Sequence, residues 1–190
     1  MAAFIQRVWT TGSRFNFTGT RFHGNQPVID QTPFSVSDSH MKVFEEKRGE
    51  FVISTDRKRL NFQVIFDFLT ERSYWARGRP VETVANSIEN SLCFGIYEGA
   101  QQVAFARVVT DYATFGWICD VFVLESHRNR ALSKWLVETI VKHPQLISVR
   151  RLLLATEDAH ELYRKYGGFE ALPYPERWMS LLRNPPKPPN

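Results

Sequence analysis

VFVLES (Val121–Ser126), HRNRALSKWLVETIV (His127–Val141), RRLLLAT (Arg150–Thr156) and DAHELYRKYGGF (Asp158–Phe169) follow one another in the chain. They read as an apolar strand, a basic loop running into a helix, a second apolar strand, and an amphipathic helix closed by glycine. In the first helix Leu132, Trp135, Leu136, Thr139 and Ile140 fall at spacings of 0, 3, 4, 7 and 8, one buried face, while Lys134, Glu138 and Lys142 point elsewhere. In the second, Ala159, Leu162, Tyr163 and Tyr166 form the stripe, and Gly167 or Gly168 supplies the stop.

A helix packed by one face onto a sheet presents its first-turn N–H groups, and the positive end of its dipole, at the strand end. That suits an anion, and His127, Arg128 and Arg130 add charge suited to phosphate; the alternative is a basic helix start with no ligand.

Working outward, Phe51–Thr55 reads as a short strand and Asp56 as a cap. Val64, Ile65, Phe68 and Leu69 give a helix over residues 61–70, and Tyr74-Trp75 opens an aromatic connection. Pro80 suits a first helical turn, with Val81, Val84, Ala85 and Ile88 as its stripe. Leu92–Tyr97, a turn at Glu98-Gly99, and Val103–Thr110 read as an antiparallel hairpin. Phe115–Glu125 is a long strand expected to be covered on both faces, and Trp178–Leu182 is expected to be the last strand.

Residues 1–40 form a leader rich in Gly, Ser, Thr and Asn, with Arg7, Arg14 and Arg21 and no acid before Asp30. It is expected to be flexible or, alternatively, a mitochondrial presequence. Its many Thr and Gly residues oppose the amphipathic helix that such a signal needs. Residues 184–190 are a proline-rich tail. The 190 residues, 43% hydrophobic and 14% aromatic, suit one globular domain at 41–183. A net charge of +4 favours a polyanionic partner only mildly, and no recognition motif for nucleic acid accompanies it. No run reaches membrane-spanning length, so a soluble, cytoplasmic protein is expected, or a mitochondrial one if the leader directs import. The two cysteines, Cys93 and Cys119, sit in apolar strands and read as buried thiols; neither a disulfide framework nor a metal site is expected.

The order strand, basic loop, helix, strand, helix resembles the acetyl-CoA-binding half of the GNAT family of N-acetyltransferases. The likeness runs from about Met41 to Met179. It implies an α/β (α+β) fold: a mixed, mostly antiparallel sheet of six or seven strands flanked by about four helices, with acetyl-CoA wedged where two central strands splay. The family's pyrophosphate loop, Q/R-x-x-G-x-G/A, is matched by Arg128-Asn129-Arg130-Ala131-Leu132-Ser133, with Ala131 and Ser133 where the family carries small bare backbone. By that match these six residues hold the diphosphate, and Val121 and Val123 lie on the strand whose backbone orients the pantetheine arm.

The family's LYxKxGF-like signature is matched by Leu162–Phe169, one glycine longer; by that match Tyr163 is the general acid for the departing thiolate, the alternative being that Tyr163 and Tyr166 are both core aromatics. Asp120 interrupts an apolar strand at an acidic position of the family. It is either the base that strips a proton from the amine or a structural partner of Arg107; Asp111 and Glu125 are weaker alternatives. Tyr74, Trp75, Tyr112, Phe115 and Trp117 are candidates for an acceptor pocket through cation–π contact. The implied activity is acetyl transfer from acetyl-CoA to a primary amine of a small molecule, by direct attack in a ternary complex. The alternative is a catalytically weak or inactive CoA-binding protein of the same fold. His40 and His143 need no function, and oligomeric state is not legible.

Overall fold

Strands β1 (Glu45–Arg48), β2 (Phe51–Ser54), β3 (Leu92–Glu98), β4 (Gln101–Thr110), β5 (Gly116–Val123) and β6 (Leu152–Leu153) hydrogen-bond side by side in that order. All pairs are antiparallel except β5–β6, which is parallel. This computed structural model describes residues 42–183 together with the backbone of Phe22–His23 and Gln26–Pro27, which pair antiparallel. Apart from those four positions, the expected leader lies outside the described residues, as does the proline-rich tail.

Helix α1 (Phe62–Asp67) starts at Asn61, whose side chain accepts from the Val64 N–H, and continues into a π turn over Phe68–Arg72. It is followed by α2 (Val81–Glu89), α3 (Leu132–Lys142) and α4 (His160–Gly167). Asp56 caps a single 3-10 turn at Arg57–Arg59. Pro80 stands one residue outside α2 as its N-cap, its carbonyl accepting from the Val84 N–H. On α2 only Val84 is fully buried; Val81 and Ala85 of the expected stripe are exposed.

The sheet is a filled layer between helices. On one face Ile53, Phe94, Ile96, Val103 and Val108 pack with Leu132, Trp135, Leu136 and Ile140 of α3. On the other, Cys93, Phe105 and Phe122 pack with Ile65, Phe68 and Leu69, and with Val84. Leu136 has no solvent exposure, and its truncation to alanine is worth about 2–5 kcal/mol.

Four expectations change. Glu45–Arg48 is an edge strand that no apolar alternation announced, because its side chains are charged and mostly exposed. β5 is covered unevenly: Ile118, Val121 and Val123 pack on the α3 side and Phe122 on the α1 side, but Trp117 is exposed and Cys119 half-buried, so Cys119 is not a core thiol. RRLLLAT forms a ladder only at Leu152–Leu153. Trp178–Leu182 is no strand, and Met179, Leu181 and Leu182 are largely exposed; the run has strand-like composition but no edge to which it is bonded.

Candidate active site

Two irregularities in β5 open the sheet. Arg107 pairs with Cys119 and Phe105 with Phe122, so Asp120 and Val121 together face Ala106: a β-bulge, with Asp120 at φ +53°. The extra residue reverses side-chain parity. Ile118 faces the α3 side before the bulge; Val121 and Val123 face it afterwards, and Phe122 turns to the α1 side. On its other edge β5 bonds β6 only through Gly116–Leu152 and Trp117–Leu153, so from Ile118 onward the two parallel strands part. A side chain at Gly116 would collide with Leu152, its Cβ 2.6 Å from Cδ2, so glycine lets the strands meet there before they diverge.

The gap leads into a cavity of about 640 Å³. One wall is Arg128, Asn129, Ala131, Leu132, Ser133 and Lys134 at the start of α3; the floor is Val121, Phe122 and Val123. The other end is made by Asp158, Ala159, Leu162 and Tyr163, with Phe68, Arg72, Tyr74 and Trp75 from the π turn and the connection after it. Of the sequence-predicted binding set, Val121, Val123, Arg128, Asn129, Ala131, Leu132 and Ser133 are thus brought together with Tyr163.

The loop before α3 takes left-handed backbone at Asn129 (φ +62°) and Ala131 (φ +59°, ψ 14°). Glycine is the usual occupant of such positions, and a Cβ there costs about 1–2 kcal/mol. The chain keeps the glycine-type turn without the glycine. Ala131 is the N-cap residue and offers no side-chain hydrogen bond, so no side chain at the cap satisfies the first-turn amides facing the cavity. Arg128 and Arg72 each hold one oxygen of Glu125, at 3.2 and 3.0 Å, through exposed pairs that a phosphate displaces at little cost.

Arg130 leaves the expected set: it pairs with Glu50 and Glu98 and lies 4.5 Å over the Phe51 ring, bracing the loop from behind. His127 lines the cavity but is held between Ser126 Oγ at 2.8 Å and Glu98 Oε2 at 3.1 Å. That bond, followed by Arg130, keeps the Glu98 carboxyl below the usual carboxylate range.

Asp120 does not line the cavity. Its carboxylate, 1% exposed, accepts from Arg107 Nε at 2.6 Å, Arg79 at 3.0 Å and the Trp75 indole N–H at 3.2 Å. Three donors, two of them cationic, take three of the carboxylate's roughly four acceptor sites and hold it against β4 and the connection after α1, outside the cavity. The structural alternative therefore fits the geometry, and the expected base role does not. Asp111 is committed to its own loop, accepting from the Ala113, Thr114 and Phe115 amides and the Thr114 hydroxyl, bonds that hold its pKa far below the ordinary value. Glu125 is tied up by the two arginines.

Tyr163, 7% exposed, is pushed up to about 12 by burial, helped by the nearby Tyr74 and Asp158. Of the aromatic candidates, Tyr74 and Trp75 line the cavity, whereas Tyr112, Phe115 and Trp117 do not. Phe68, which stacks on Phe122 with ring centres 3.9 Å apart, Arg72 and Asp158 line the cavity without any local sequence pattern that marks them as site residues. The one sign available for Asp158 was its place directly before the α4 stripe.

Comparison with known proteins gives this geometry its class. Residues 62–169 match the model of the acetyltransferase (GNAT) family. A crystal structure from Xanthomonas campestris pv. campestris, described as a "putative acetyltransferase belonging to the gnat family", is 42% identical. It covers 72% of this chain and 96% of its own, with a TM-score of 0.69. A Gibberella zeae protein named "Putative acetyltransferase" is 27% identical over 143 residues, 65% of this chain and 81% of that protein. A Staphylococcus aureus structure described as "Probable Acetyltransferase" shares the fold at 20% identity and TM-score 0.55, covering 70% of this chain and 98% of its own. The chain belongs to the GNAT acetyltransferase family and is an acyltransferase. No helix among the described residues is long and apolar enough to cross a membrane.

Proposed function

We propose that this acyltransferase moves an acetyl group from acetyl-CoA to a primary amine of a small molecule, by direct attack in a ternary complex. The observation that carries the reading is the pairing, in one cavity, of the uncapped α3 N-terminus with a buried, protonated Tyr163. The α3 amides, with Arg128 and Lys134 beside them, suit a diphosphate. The unpaired edge of β5 at Val121 and Val123 offers backbone groups to an amide-bearing arm, directing a thioester toward Tyr163.

Attack by the neutral amine, the ammonium having first lost a proton to water, forms the C–N bond and breaks the C–S bond. The nitrogen sheds a second proton on becoming an amide, which restores the spent acid, while the departing thiolate needs a proton. Tyr163 supplies it. A phenol near 12 is a poor acid toward a thiolate in water, but burial acts on both partners: Cys119, close to Tyr163, is itself pushed up to about 11 by desolvation. Desolvation at the same place raises the basicity of a departing thiolate in the same direction as that of the Tyr163 phenol.

Thiol release from acetyl-CoA across a panel of primary amines tests this. Amine-dependent release with intersecting double-reciprocal lines is expected. Parallel lines contradict direct attack, and CoA binding without amine-dependent release favours the inactive CoA-binding alternative.

A further inference from the structure

The cavity is electrically lopsided. Arg72, Arg128 and Lys134 are its cations, and Asp158 is its one carboxylate among the described residues. The bonds at the turn before α4 go elsewhere: Glu157 N–H donates to Tyr74 Oη, Ala159 N–H to Thr156 Oγ1, and Arg164 pairs with Glu161. The Asp158 side chain is exposed and is left without a partner among the described residues. Beside it stand two rings at 84° to each other, Tyr74 and Trp75. Each is fixed by its polar end, Tyr74 by the Glu157 amide and Trp75 by the Asp120 carboxylate. With their polar ends engaged in the protein and 53% and 39% exposure, they contribute ring surface to the cavity. A carboxylate beside fixed aromatic rings is what a desolvating ammonium seeks.

We propose that Asp158, with the rings of Tyr74 and Trp75, forms the acceptor subsite, and that the acceptor is a primary ammonium carried on an apolar stem. The inference rests on the acetyl-transfer reading for its use, since it names the amine that reading leaves open. Asp158 draws the charged end toward the Tyr163 end of the cavity, and the rings take the stem. Asp120, bonded to three donors and outside the cavity, shapes the subsite by pinning Trp75 and touches no acceptor.

Calorimetric titration of phenethylammonium, and separately of neutral 2-phenylethanol, is done on the wild type, Asp158→Asn, Tyr74→Leu and Glu161→Gln, with and without saturating CoA. Asp158→Asn is expected to weaken the ammonium by about tenfold or more and leave the alcohol unchanged. Tyr74→Leu weakens both ligands, and Glu161→Gln, which removes a neighbouring exposed carboxylate, changes neither. Equal ammonium binding by wild type and Asp158→Asn, or none by the wild type, overturns the proposal. The two readings fail separately: ammonium binding without CoA binding sinks the acetyl-CoA reading and keeps the subsite, and CoA binding without ammonium binding does the reverse.

Discussion

Two places near the cavity put a non-glycine residue into left-handed backbone, and they are held in opposite ways. At the β5 bulge Asp120 is buried, and Arg107, Arg79 and Trp75 all donate to it, so the irregular backbone is locked by bonds made inside the protein. At the loop before α3, Asn129 and Ala131 are exposed, and the helix start has no side-chain cap. Strain compensated internally marks architecture; strain left facing a cavity, with amides to spare, marks a place shaped for something that arrives. The same distinction fits a structural role for Asp120 and keeps the loop in the proposed binding site.

The largest effect expected from breaking this contrast lies at the bulge. Asp120→Ala strands two guanidinium groups and should cost about 3–5 kcal/mol in urea unfolding, while the folded fraction keeps its acetyl-CoA affinity. A cost below about 1 kcal/mol would mean that the cluster does not hold the bulge. On the ligand side, Tyr163→Phe is expected to reduce kcat by about 10²-fold, with unfolding free energy and acetyl-CoA affinity little changed. An unaltered kcat would remove Tyr163 as the acid.

Ala131→Gly sharpens the comparison further. Relieving the left-handed alanine should stabilise the chain by about 1 kcal/mol in the same urea titration and tighten acetyl-CoA, while Ala131→Val does the opposite. Weaker acetyl-CoA binding by the glycine variant would mean that the methyl group is not an obstacle.

The smallest effect concerns His143, remote from both regions and buried edge-on against Phe44 and Phe94, its Nε2 without a partner. Burial holds its pKa below the ordinary value, so the unfolded chain takes up a proton more readily. Its contribution is therefore flat above about pH 7.5 and erodes as pH falls below about 6.5, the unfolded value. The Tm difference between wild type and His143→Leu, followed from pH 7.5 to 5.5, should shift against the wild type as the pH drops.

What the sequence disclosed follows the same line. The faces of α3 and α4 were legible because Leu132, Trp135, Leu136 and Ile140, and then Tyr163, are apolar at helical spacing and bury their residues on that pattern. The loop's place was legible from Arg128 and the helix after it. Its left-handed shape was not, since Asn129 and Ala131 carry no glycine to announce it. β1 was hidden by the charges of an edge strand, and Trp178–Leu182 was over-read because apolar composition alone does not supply a neighbouring strand. Asp120 drew notice as an acid in an apolar run, but Arg79 and Trp75, more than forty positions away, reach it only in the fold. Asp158 is defined by lacking a partner, which no local pattern records.

In the proposed reading acetyl-CoA is held chiefly by the grip of the α3 amides on its diphosphate. Calorimetry comparing acetyl-CoA with acetyl-pantetheine, which has the thioester arm but neither the diphosphate nor the adenosine 3′-phosphate, reads the whole nucleotide end, and adenosine 3′-phosphate as a third ligand reads that end without the diphosphate. Acetyl-CoA should bind tighter than either by about tenfold or more. Equal affinity for acetyl-CoA and either of the others, or no heat from any, would contradict it.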